Sequence, residues 1–339
     1  MSFRVRPASN EDFQAIYEMA KLTGGGFTNL PADRGALVEK LIRSEKGFQR
    51  VTEEQSDDLF MMVLENVEQG TIRGTCQVFG MVGSDCPFYS YRLTTLRQTS
   101  QALGKTFKAE MLTLVTDFDG CSEVGGLFLH PGERAGGLGM LLARSRYLFI
   151  KQHRKRFGDR VLAELRGVID EAGGSPFWDA IAGRFFGMNF QEADELNGTH
   201  GTQFIADLMP KTPIYTAMLP DSAKNVMGVP HPSGRAAMKM LEREGFTYDC
   251  YIDIFDGGPT MAARTDEIRT VRDSREHVLA AVSDEVEGER RMLAAGRLTK
   301  FAACYGRLSL DSDGNALLDR QSAKLLNIRP GDPFLAMSR

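Results

Sequence analysis

The glycines constrain this chain more than any other feature, and one cluster dominates. A strand-like run, Glu123-Val-Gly-Gly-Leu-Phe-Leu129, leads into the loop His130–Ala135. Gly136-Gly-Leu-Gly139 then opens the strongest helical pattern of the sequence, reaching to about Arg156, with Leu138, Leu141, Leu142, Leu148 and Phe149 on one face. The first-turn N–H groups of a helix have no partner within it, and the helix dipole makes that end electropositive. Glycines let a bulky anion rest directly on those groups. The pattern Arg134-x-x-Gly137-x-Gly139 between a strand and a helix therefore predicts a phosphate cradle. It is not a dinucleotide fingerprint, because the strand comes fourth or later and the glycine spacing differs. Nor is it a P-loop, since no Gly-Lys-Ser/Thr follows. A glycine-rich turn without a ligand fits the bare cluster equally well, so the order of elements around it has to decide.

That order begins with a strand, Phe3–Arg6, stopped by Pro7, and a helix capped by Ser9 or Asn10 with Phe13, Ile16, Met19 and Ala20 at helical spacing. A glycine-bearing loop, Thr23–Pro31, and a helix over about 33–48 follow. Strands are expected at Leu59–Glu65, Thr71–Val82, Phe88–Leu96, Glu110–Asp117 and Glu123–Leu129. After the long helix come a strand at Arg160–Val168, a helix opened by Ser175-Pro176, short helices near 201–208 and 222–227, a helix at Arg235–Glu244 and a strand at Tyr248–Phe255. A length of 339 residues suggests two domains. The expected division is 1–260 for the main domain and 261–339 for a small β-rich module with a helical piece.

Charge and cysteine usage exclude several classes. Lys and Arg total 41 against 45 for Asp and Glu, so no basic excess exists to neutralise a nucleic-acid backbone. No apolar run approaches the length of a membrane span, and the N-terminus lacks a secretory pattern, so a cytoplasmic protein is expected. Five scattered cysteines form no C-x-x-C pair, which disfavours zinc and redox sites and predicts reduced thiols.

The order strand, helix, helix, three strands, glycine loop, long helix, strand, helix resembles that of the GCN5-related N-acyltransferase superfamily. There, a loop like this one holds acyl-CoA pyrophosphate. The resemblance narrows to the arginine N-succinyltransferase family over residues 5–260. It rests on Thr23-Gly-Gly-Gly-Phe-Thr-Asn-Leu-Pro31, Tyr89-Ser-Tyr-Arg92, Ser122-Glu123 through Leu127-Phe-Leu129, and Ala163-Glu-Leu-Arg-Gly-Val-Ile-Asp-Glu171. Ser175-Pro-Phe-Trp178, Phe204-Ile-Ala-Asp-Leu-Met-Pro-Lys211, His231-Pro232 and Tyr251-Ile-Asp-Ile-Phe-Asp-Gly-Gly-Pro259 complete it. The Arg134–Gly139 loop is closer to the general superfamily form, and the last ~75 residues match poorly.

What the resemblance implies is an α/β fold, a mixed, mostly antiparallel sheet flanked by helices, and succinyl transfer from succinyl-CoA to the α-amine of L-arginine. Succinyl-CoA is a co-substrate; no resident cofactor and no metal is required, and the relatives are oligomers. Arg134, Gly136, Gly137, Leu138 and Gly139 are implied at the pyrophosphate, and Leu127 at the thioester. His231 is implied as proton donor, although a lone histidine is more often structural. The base is open between Glu123 and a water chain. The succinyl carboxylate calls for a cation, for which Arg92 and Arg166 are candidates; either is equally readable as an ion-pair residue, and one of them is an alternative partner for the amino acid's carboxylate. Asp170 and Glu171 are candidates for the guanidinium of the acceptor. Two rivals stand beside this reading: an acyltransferase for ornithine or another amino acid, and a non-catalytic acyl-CoA sensor.

Overall fold

The computed structural model describes residues 2–23, 29–134, 136–200, 203–311 and 314–338, without the side chains of 197–200. Ten strands build the first part: β1 (Phe3–Pro7), β2 (Leu59–Asn66), β3 (Thr71–Phe79), β4 (Ser90–Ser100), β5 (Lys105–Val115), β6 (Ser122–Leu129), β7 (Arg160–Glu164), β8 (Ile214–Tyr215), β9 (Thr247–Asp253) and β10 (Pro259–Arg264). Five more follow: β11 (Arg275–Ser283), β12 (Glu289–Ala295), β13 (Ala302–Leu310), β14 (Ala316–Asp319) and β15 (Pro333–Ser338). They form one sheet in the order β12-β15-β11-β14-β13-β1-β2-β3-β6-β7-β10-β9-β4-β5-β8, and β12 also pairs with β13. That extra pairing closes β11–β15 into a five-stranded barrel filled by Leu279, Leu293, Cys304, Leu318 and Phe334. The barrel meets the main sheet at Val5↔Ala303. Only β6–β7 and β11–β14 are parallel among the described pairs.

The central strands are buried on both faces, which is why Leu59–Leu64 reads as an unbroken apolar run. Met61 and Val63 point to one side, against Ile16, Met19, Leu37 and Leu41 of helices α1 (Phe13–Lys21) and α2 (Arg34–Gln49). Phe60, Met62 and Leu64 point to the other, against Leu141, Leu142, Leu148 and Phe149 of helix α3 (Leu138–Gln152). The face expected for α3 is the one it buries. An aromatic cluster, Phe48, Phe60, Phe149, Phe157 and Phe301, locks α2, the sheet, α3 and the barrel's approach together.

Three expectations shift. β10 pairs with β7 along its whole length, from Thr260↔Glu164 to Arg264↔Arg160, so a division after residue 260 cuts through a strand of the main sheet. The run expected as Arg160–Val168 leaves the sheet at Glu164, because the Asp256 carboxylate takes the Gly167 N–H at 2.7 Å. The runs expected as Phe88–Leu96 and Glu110–Asp117 are one long hairpin, registered from Ser90↔Val115 to Ser100↔Lys105. Its outer half is exposed on both faces, so its composition carries no alternation. The sequence signals a turn at Ser312-Asp-Gly-Asn315, of which residues 312–313 lie outside the described residues.

Candidate active site

The site begins with a fault in β6. Opposite β3 the register jumps between Thr75↔Phe128 and Gln77↔Gly125, leaving Gly126 and Leu127 across from a single residue. Gly126 takes φ +56°, and a Cβ there would sit 2.7 Å from the Gln77 side chain, so only glycine fits. The Thr75 hydroxyl donates to the Gly126 carbonyl at 3.0 Å and holds the bulge. On the other edge, β6 pairs with β7 only at Ser122↔Val161 and Glu123↔Leu162. Beyond that point the two strands part. A cleft of about 1300 Å³ opens between them, bordered by Val124–Leu129 on one side and Ala163–Arg166 on the other. Leu127 lines this cleft and also packs against the core.

At the mouth, Gly137 caps α3 with φ +81° in the left-handed region. Its carbonyl accepts the N–H groups of Met140 and Leu141 and, at 3.0 Å, the hydroxyl of Tyr305 from the barrel. Gly136 also has positive φ, +71°. Arg134 and Gly139 line the cleft, and Arg134 is exposed, with no ionic partner among the described residues. The preceding turn is stiffened by Arg73, which donates to Glu133 at 3.0 Å and contacts His130 Nδ1 at 3.2 Å. Ala135 lies outside the described residues. An electropositive helix end, a free cation and a Cβ-free backbone thus face one opening, as an anion requires.

Four carboxylates gather deeper, where β6, β7 and β9 converge: Glu123, Glu164, Asp253 and Asp256 all line the cleft. Burial raises the Glu123 carboxyl despite a hydrogen bond from Asn29 Nδ2 at 3.0 Å and the nearby Lys40 charge. Glu164 is pushed well above the ordinary range by burial and then by its acidic neighbours, and it shares a hydrogen bond with Asp253. Asp256 rises to about 7, chiefly by burial, although the N–H groups of Gly167 and Gly258 donate to it. Crowding acidic groups together away from water raises their affinity for protons and favours a cation beside them. Lys40, on α2, is lowered to about 8 by burial, with Glu123 opposing the shift. Sequence reasoning found Glu123 alone of these four. The others come from two segments, both among those that carry the family resemblance, and their own signal was acidic residues at the ends of apolar runs.

His231 is held beside the far wall. Its backbone N–H donates to the Arg166 carbonyl at 2.7 Å, tying the His-Pro loop to the chain leaving β7. Nδ1 lies 2.7 Å from Ser233 Oγ and 3.3 Å from the Ser233 N–H that donates to it. That arrangement leaves Nε2 as the proton-bearing nitrogen of the neutral ring. Burial, and then the Arg166 charge, lowers its pKa below 6.5. His231 itself is not among the residues bordering the cleft, whereas Ser233 and Arg166 are.

The remaining candidates separate. Arg166 borders the cleft with its Nε buried and unpartnered. Arg92 does not reach it: the guanidinium sits 3.7 Å from Asp117 and over the Tyr251 ring. Asp170 and Glu171 are exposed and outside the cleft, and Asp170 closes its own loop by accepting the N–H groups of Ala172 and Gly174. The acidic cluster that does face the cleft comes instead from β6, β7, β9 and the loop after β9. In the glycine loop Thr23–Pro31, residues 24–28 lie outside the described part, while Asn29 packs over Gly125 and bonds Glu123.

A bulged strand, a helix-mouth cradle after it and a seam parting beside it define an acyl-CoA-dependent N-acyltransferase with the GCN5-related fold. Residues 3–270 match the family described as arginine N-succinyltransferase beta subunit, and residues 275–338 match the C-terminal domain of that subunit. The chain belongs to the arginine N-succinyltransferase family. Arginine N-succinyltransferase of Escherichia coli (strain K12 / DH10B) is 44% identical over 271 residues, 80% of this chain and 78% of that protein. The solved arginine/ornithine succinyltransferase subunit AI of Pseudomonas aeruginosa superposes with a TM-score of 0.90 at 32% identity, covering 99% of this chain and 98% of that one.

Proposed function

We propose that this enzyme transfers the succinyl group of succinyl-CoA to the α-amine of L-arginine, giving N2-succinylarginine and CoA. The observation that carries the reading is the single cleft that joins an anion cradle at one end to four carboxylates at the other, two of them, Glu123 and Asp256, buried. The diphosphate rests on Arg134 and the Gly136–Gly139 backbone, and the pantetheine arm lies along the open edge of β6. Backbone N–H groups near Leu127 polarise the thioester carbonyl, a contribution of ~3 kcal/mol for each well-placed donor.

The α-ammonium gives its proton to Glu123, directly or through a water. The amine nitrogen bonds the carbonyl carbon, the C–S bond breaks, the thiolate takes a proton from His231, and the second proton shed by the new amide nitrogen returns to the imidazole through a water. Arg166 is placed to hold a substrate carboxylate, and the acidic cluster to receive the guanidinium. The reaction needs no resident cofactor in this scheme. Ornithine as acceptor is the second reading, favoured by the name of the Pseudomonas relative and by a cluster that suits either cation.

No helix among the described residues is long and apolar enough to cross a membrane, and we place the enzyme in the cytoplasm. An oligomeric assembly is proposed because the matching family and the solved relative are both named as subunits; light scattering on the purified chain tests it. Release of free CoA with arginine, ornithine and lysine tests the function. Arginine-dependent release supports it, release only with another amine shifts the acceptor, and CoA binding without release makes the chain a sensor.

A further inference from the structure

Helix α3 carries two arginines whose side chains are almost wholly buried, Arg144 and Arg146, with relative exposures of 4% and 3%. Arg144 is accounted for: its Nε donates to Glu244 at 2.7 Å. Arg146 has no acidic partner among the described residues. Its Nε donates to the Ala143 carbonyl at 3.0 Å, one Nη reaches the Gly125 carbonyl at 3.5 Å, and the guanidinium lies 5.6 Å from the centre of the Tyr147 ring. Neutral carbonyls and a ring face leave a buried positive charge uncompensated, which proteins ordinarily avoid. Yet Arg146 borders the large cleft, so an anion entering it would supply what the protein does not.

Depth decides which anion. Arg146 lies eight residues along α3 from Leu138, ~12 Å inward at the rise of an α-helix. It touches Gly125, on the thioester side of the bulge and away from the diphosphate mouth. The other cations of the cleft have other work. Arg43 pairs with Asp57, Arg134 stands at the mouth, Lys40 feels Glu123, and Arg166 lies in the field of Asp256. We propose that Arg146 receives the terminal carboxylate of the acyl group and selects a dicarboxylic acyl donor over acetyl-CoA. Two parallel N–H donors of a guanidinium match a carboxylate in a way an ammonium does not. The proposal rests on the acyl-transfer reading and adds the residue that sets its donor specificity.

The test measures kcat/KM for succinyl-CoA, acetyl-CoA and the neutral succinamoyl-CoA, together with calorimetric affinity for CoA itself, in the wild type, Arg146→Met, Arg146→Lys and Arg166→Gln. The expected result is a fall of tenfold or more in the succinyl-to-acetyl ratio for Arg146→Met, a smaller fall for Arg146→Lys, and CoA affinity within twofold of wild type. If Arg146→Met does not fold, Arg146→Lys and the wild-type preference for succinyl- over succinamoyl-CoA carry the test. An equal loss with all donors assigns Arg146 a structural role and overturns the proposal. So does a collapse of the ratio in Arg166→Gln alone. A wild type that binds no CoA overturns the acyl-transfer reading itself, a result distinct from either.

Discussion

His231 shows how much one backbone bond decides. The Arg166 carbonyl anchors it, Ser233 fixes Nδ1, and burial, then the Arg166 guanidinium, depresses its pKa. An imidazolium with a lowered pKa is a stronger acid toward a departing thiolate but is populated only at lower pH. The rate at saturating substrates should therefore fall as pH rises through that lowered value. Removing the neighbouring cation with Arg166→Gln should move this limb to higher pH, because repulsion no longer disfavours the charged ring. A limb that stays put in the kcat profile would detach His231 from Arg166. His231→Ala should lower kcat at least tenfold with KM nearly unchanged; a smaller loss would remove the residue from proton transfer.

The elements that make the site are a strand with a bulge and a helix with a glycine cap. Their roles are separable by substitution. Gly137→Val forces a β-branched residue to φ +81° at the cap and places a side chain where the anion is expected. Calorimetry should show CoA affinity weakened more than tenfold. An unchanged affinity would mean that the cradle does not hold the diphosphate. A different loss follows from Glu244, which closes the helix Arg235–Glu244, accepts from Arg144 at 2.7 Å, and also accepts the Thr270 N–H at 2.9 Å. Glu244→Gln leaves Arg144 buried without its counter-charge, a cost of about 3–5 kcal/mol. Denaturant titration should reveal it, and a loss below about 1 kcal/mol would show that the backbone or water compensates. The positions of α1, α2, α3 and β6 were legible because their apolar period or glycine punctuation is local. The extent of the β4–β5 hairpin was not, since residues exposed on both faces leave no period to read.

At the scale of the whole molecule, the C-terminal barrel is continuous with the catalytic sheet through Val5↔Ala303 and reaches the cradle through Tyr305. Tyr305→Phe should weaken CoA binding severalfold without unfolding the protein; an unaltered affinity would confine the barrel to a structural role. The proposed division between the two parts now falls near Ser274, between the last helix of the first part and β11. His153 ties the same halves together. It is fully buried, contacts Glu53 Oε1 at 3.3 Å and accepts the Leu298 N–H at 3.4 Å. Burial lowers its pKa from 6.5 to about 4. The unfolded chain therefore binds a proton in a range where the folded one does not. Stability is full above pH 6.5 and declines as pH falls toward about 4. The midpoint of thermal unfolding should drop across that window and drop less in His153→Gln; parallel curves for the two proteins would refute the assignment.

The sequence by itself determined the glycine-capped helix mouth, because backbone freedom and helix-end electrostatics are local and glycines announce both. Through its resemblance it also pointed to His231, to β6 and to the class of fold. Only the tertiary structure brought Glu164, Asp253 and Asp256 to Glu123, left Arg92, Asp170 and Glu171 outside the cleft, and buried Arg146 with no counter-charge among the described residues. The reason is physical. A charge's partners depend on which strands pair and where the sheet parts, and those are contacts between residues far apart in the chain.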